Sequence, residues 1–67
     1  MKDKLITEYS LRIKDHKILR DAEQDALTAA RKLGEPEIEL ALRRAEVRRR
    51  DDLIQLCTQM IKDLESL

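Results

Sequence analysis

Apolar residues recur at steps of three and four along nearly the whole 67-residue chain, and the pattern breaks once. The break is Leu33-Gly34-Glu35-Pro36, near the midpoint, which holds the only Gly and the only Pro. Each side reads as helix. The pattern predicts helix 1 over about 4–33, a turn at 34–35 and helix 2 over about 36–65, each about 45 Å long. Asp3 is a candidate N-cap with Glu8 in the opening turns. Arg31 and Lys32 place positive charge in the last turn of helix 1, where the helix dipole favours it. Gly34 suits the left-handed residue that ends a helix. Pro36 suits the first turn of the next, where a missing N–H costs nothing. Glu37 and Glu39 then sit at the positive end of helix 2.

The apolar residues do not form one straight stripe on either helix. On helix 1, Leu5, Ile6, Tyr9, Ile13 and His16 share a face. Leu11, Ile18, Leu19, Ala22, Ala26, Ala29, Ala30 and Leu33 centre about a third of a turn away, so a bend or a change of neighbour is expected near 15–17. The alanines point to close helix approach beside the elbow. Helix 2 carries two seams. One is Ile38, Leu42, Ala45, Arg49, Leu53, Leu56, Met60 and Leu67. The other is Leu40, Val47, Ile54 and Ile61, with Cys57 and Leu64 between the two. A helix apolar on two seams is normally covered by more than one neighbour. Closing the elbow sets side by side residues whose numbers sum to about 70. Tyr9 then faces Ile61, Ile13 faces Cys57 and Leu33 faces Ile38. Asp21 and Asp25 come near Arg44, Arg48 and Arg49, and Lys17 comes near Asp52.

Composition sharpens this picture. The chain is rich in Ala, Leu, Glu, Lys and Arg with one aromatic residue, the make-up of a long helix or coiled coil. Fourteen basic residues balance fourteen acidic ones, so no net charge draws the chain to nucleic acid or an anionic surface. A domain this short seldom buries enough surface alone. The lone Cys57 closes no disulfide within the chain and fits a reducing, cytoplasmic setting. The N-terminus has no long apolar run, and no membrane association is expected. Partner chains remain as the source of further burial. The expected fold is an all-α antiparallel two-helix hairpin, a single domain over 1–67, which completes a four-helix bundle as a homodimer.

Catalytic and cofactor signatures are absent: one Gly makes no phosphate loop, and one His with one Cys closes no metal site in a single copy. No catalytic, cofactor-binding or metal residue is assigned. His16 reads as a hydrogen-bonded, partly covered side chain and Cys57 as an inert thiol among apolar neighbours. Tyr9 is an interface anchor or simply the largest core residue at the open end. Arg49 interrupts an apolar seam, where a polar residue sets register at some cost in stability. The run Arg43-Arg44-Ala45-Glu46-Val47-Arg48-Arg49-Arg50 is the one basic cluster. Its arginines point all round the helix, and no aromatic ring stands by for base stacking. Arg44, Arg48 and Arg50 are the nucleic-acid contacts such a run would offer.

The resulting expectation is a non-enzymatic protein–protein interaction module, an adaptor, inhibitor or co-chaperone, with a protein partner besides its own copy. Tyr9, Ile13, Leu40, Val47, Ile54, Cys57, Ile61 and Leu64 are the expected partner or oligomer interface. In outline the hairpin also resembles the small plasmid copy-number regulator that pairs into a four-helix bundle. That resemblance implies an RNA- or DNA-binding dimer using the Arg43–Arg50 region. In length and layout it is similar as well to the co-chaperones of type III secretion needle subunits, which implies custody of an aggregation-prone partner.

Overall fold

The computed structural model describes residues 1–67 as two helices, α1 (Lys2–Leu33) and α2 (Glu37–Glu65), packed against each other. Their Cα atoms form a narrow plate of 49 × 15 × 11 Å. α1 starts earlier than expected. Met1 is the cap, and its carbonyl accepts the Leu5 N–H at 3.2 Å. Asp3 therefore lies within the first turn, where its charge still faces the positive end of the dipole.

The elbow is built as its residues require. Gly34 is left-handed, with φ 73° and ψ 33°. Its N–H donates to the Arg31 carbonyl and the Glu35 N–H to the Ala30 carbonyl, both at 3.1 Å. This paired closure satisfies two carbonyls that the helix end would leave open. Pro36 stands one residue before α2 rather than in its first turn, at φ −58° and ψ 149°. Its carbonyl accepts the N–H groups of Glu39 (3.0 Å) and Leu40 (3.1 Å), and α2 starts from there.

The seam between the helices has unbroken three-four spacing on both sides. α1 turns inward Ile6, Tyr9, Ile13, His16, Arg20, Glu23, Leu27 and Ala30. α2 turns inward Leu40, Arg43, Val47, Arg50, Ile54, Cys57, Ile61 and Leu64. The register expected from the elbow holds: Arg20 reaches Asp51 and Glu23 reaches Arg50. Apolar contacts thus occupy both ends of the hairpin, and charged groups occupy its middle. Only Leu27, Ala30, Ile54 and Cys57 are buried, four residues of 67. That is little core for a chain of this size, and most stabilising burial of a lone hairpin is partial. Leu33 and Ile38, expected to face each other, are instead 82% and 71% exposed, because the elbow turns both outward.

Candidate interaction surface

The polar middle of the seam forms because both helices place charge at inward positions. Arg50 Nε donates to Glu23 Oε1 at 3.1 Å, and the same guanidinium lies 3.1 Å from His16 Nδ1. An arginine only donates, so His16 Nδ1 is the acceptor in this contact. Arg20 bridges the helices to Asp51 at 3.1 Å and also holds Asp21 at 3.3 Å. The Asp51 hydrogen bond, partly offset by burial and helped by Asp21, raises the Arg20 pKa above its ordinary value. Nearer the elbow, Arg43 grips Glu35 with two hydrogen bonds of 2.8 and 3.1 Å. That contact raises the Arg43 pKa and ties the turn to α2.

These contacts reassign several residues. Arg49 does not set the register. Its side chain is 62% exposed and reaches only Glu46, at 3.6 Å on its own helix. Arg50, one residue on, occupies the seam and joins the two helices. The interhelical pairs expected for Asp21, Asp25 and Lys17 give way to Arg20–Asp51 and Glu23–Arg50, since those four side chains flank or fill the seam. Arg44 pairs with Glu37. With Arg43, Arg44, Arg49 and Arg50 each facing a carboxylate, Arg48 alone of the run makes no ion pair.

The eight residues expected at a partner interface also turn out to face inward. Tyr9, Ile13, Leu40, Val47, Ile54, Cys57, Ile61 and Leu64 all lie in the seam, buried or half-buried against the other helix of the same chain. The step-of-seven seam of α2 is the hairpin seam. The other seam of α2 is left outside: Ile38, Leu42 and Leu56 are about as exposed as Leu11 and Ile18 of α1. Periodicity alone does not separate the two stripes, because a three-four count carried through charged positions runs without a gap along either one.

The two flanks of the hairpin differ in character. A cavity of about 170 Å³ is lined by Glu23, Ala26, Arg43 and Glu46, so Ala26 of α1 and Glu46 of α2 share one edge of the seam. Steps of seven from these two residues mark that whole side. On α1 they reach Leu5, Arg12, Leu19 and Leu33; on α2 they reach Glu39, Leu53, Met60 and Leu67. Ala22, Ala29, Leu42 and Leu56 lie just beyond. This broad face carries most of the uncovered aliphatic surface. The other face carries Ser10, Lys17, Gln24 and Arg31 with Arg44, Asp51 and Thr58. The hydroxyls of Ser10 and Thr58 bond back to the carbonyls of Ile6 and Ile54. One side of the plate therefore carries aliphatic surface interrupted by Arg12, Glu39 and Glu46, and the other side is polar.

Comparison with protein families, with curated proteins and with solved structures finds no match.

Chemistry is sparse on both faces. No group of three or more His, Cys, Asp or Glu side chains is placed to hold a metal ion. Cys57 is a buried free thiol, and His16 is engaged by Arg50. No helix is long and apolar enough to cross a membrane.

Proposed function

We propose that this chain is a non-enzymatic interaction module, of the adaptor, inhibitor or co-chaperone kind, acting through helix–helix packing. The observation that carries the reading is the one-sided exposure of aliphatic surface. Leu19, Leu42, Leu56 and Met60 are 43, 60, 59 and 37% exposed on one broad face, beside the small side chains of Ala22, Ala26 and Ala29. Contiguous apolar surface of more than a few hundred Å² marks an interaction site on a soluble protein. Two parallel ridges with small residues between them suit one or two further helices laid along the groove. Self-association into a four-helix bundle is one form of that packing. The unpaired thiol fits a reducing compartment.

A nucleic-acid role is disfavoured. Four of the five arginines in the basic run are neutralised by carboxylates of the same chain. The test is capture by the intact chain, with crosslinking and mass spectrometry, against a Leu19→Lys/Leu56→Lys variant that keeps its helical circular dichroism. Loss of all associations in the variant supports the reading. Unchanged associations, to itself and to others, would sink it.

A further inference from the structure

We infer that the apolar face takes a second copy of this chain, turned end for end so that the two elbows lie at opposite ends of the bundle. The inference rests on the interaction reading and deepens it by naming the occupant and its orientation. The first argument is area. The hairpin exposes 5160 Å². A compact chain of 7.9 kDa exposes about 4400 Å² by the usual size scaling. The excess, roughly 750 Å² by the same scaling, is close to the ~800 Å² that each partner contributes to a stable interface. One further hairpin of the same 49 Å length covers such a face along its whole extent.

The second argument is registry. Reversing the series Leu5, Arg12, Leu19, Ala26, Leu33 maps it onto itself about Leu19. The series Glu39, Glu46, Leu53, Met60, Leu67 likewise maps onto itself about Leu53. Leu19 and Leu53 lie within a turn of the midpoints of α1 and α2. End-for-end stacking therefore brings the heptads into register at full overlap, with four leucines at the centre. A two-fold arrangement of this kind uses one patch on both copies.

The third argument is charge. The stacking sets the second copy's Arg12 level with Ala26, whose short side chain leaves the notch of about 170 Å³ beside it. Glu23 and Glu46 line that notch. Glu23 Oε2 is buried without a hydrogen-bond partner, and the notch's own cation, Arg43, is already held by Glu35. A guanidinium entering the notch meets the carboxylate side chains of Glu23 and Glu46. Arg12 makes no ion pair within its own chain, and its guanidinium stacks on the Tyr9 ring at 5.3 Å. Stacking the copies with elbows together instead places Glu8 level with the second copy's Asp63 and leaves the notch unfilled.

The experiment uses the full chain in sedimentation equilibrium. Twice the 7.9 kDa mass is expected. Arg12→Glu and Glu46→Arg should each raise the dimer dissociation constant by about tenfold or more, and the pair together should recover most of the loss. Neither side chain lies in the hairpin seam, so folding is not at stake. Spin labels on Lys32→Cys, in a Cys57→Ala background, should sit about 40 Å apart in the dimer. A separation of about 15 Å, the diagonal of four helices packed about 10 Å apart, would mean elbows together and overturn the orientation. A dimer indifferent to both charge reversals overturns the notch contact. A monomer at all concentrations overturns the inference altogether. If that monomer still loses a heterologous partner on Leu19→Lys, the interaction reading stands; if it has no partner to lose, both readings fall.

Discussion

Removing Arg50 tests whether the polar middle stabilises the hairpin or only specifies it. The Arg50 side chain is 19% exposed and touches both Glu23 and His16 across the seam. Arg50→Leu leaves Glu23 largely covered, with one carboxylate oxygen newly unpaired and the other already so. A charge-assisted hydrogen bond contributes about 1.5–3 kcal/mol. The Glu23 side chain keeps 27% of its exposure, so water recovers part of that. A net cost of about 1–2 kcal/mol is expected, or a fall in melting temperature of about 5–10 °C for a domain this small. Glu23→Leu alone should cost a comparable amount, because it orphans Arg50. The double variant Glu23→Leu/Arg50→Leu should regain wild-type stability or exceed it. Both ions are then gone, and two leucines continue the aliphatic seam between Leu27 and Ile54. Urea denaturation followed by far-ultraviolet circular dichroism gives all four corners of the cycle. The samples are matched in protein concentration, because self-association adds to apparent stability. A double variant no more stable than the weaker single would refute the reasoning, as would Arg50→Leu leaving the midpoint unchanged.

Two further outcomes follow from the elbow and the core. Gly34→Ala should cost about 1 kcal/mol, the penalty of a left-handed alanine, since a Cβ there meets nothing within 4 Å. A loss above about 3 kcal/mol in thermal melts would show that the turn is more tightly constrained than its dihedral angles imply. Cys57, 7% exposed, should react with an aromatic disulfide reagent at least about 100-fold more slowly in native buffer than in urea. Equal rates in the two solvents would mean that the open end of the hairpin does not stay closed.

How legible was the molecule in its residues? The elbow was fully so. A single Gly followed two residues later by a single Pro leaves few ways to end one helix and begin another, and the left-handed Gly34 uses the obvious one. Helix limits followed to within two residues: α1 starts early at Lys2, and Pro36 caps α2 instead of opening it. The register followed too, because a short turn leaves two long helices almost no freedom to slide. The interface residues were less legible. Tyr9, Ile13, Ile54, Cys57 and Ile61 were expected at a partner interface, and they lie buried or half-buried in the seam of the hairpin itself.

Local chemistry therefore determined two helices, their lengths, their antiparallel order and the level at which each residue meets the other helix. Tertiary packing alone decided which of two stripes on each helix turns inward. Periodicity on one helix reveals that stripes exist, but it carries no information about rotation relative to a neighbour. That rotation buries the larger aliphatic residues toward both ends of the hairpin and pairs the charges between them. The inward stripe of α1 carries Arg20 and Glu23, the inward stripe of α2 carries Arg50 beside Asp51, and only this rotation joins Arg20 to Asp51 and Glu23 to Arg50. The price is an apolar stripe on each helix turned outward on the same face, where Leu19 and Leu42 remain uncovered.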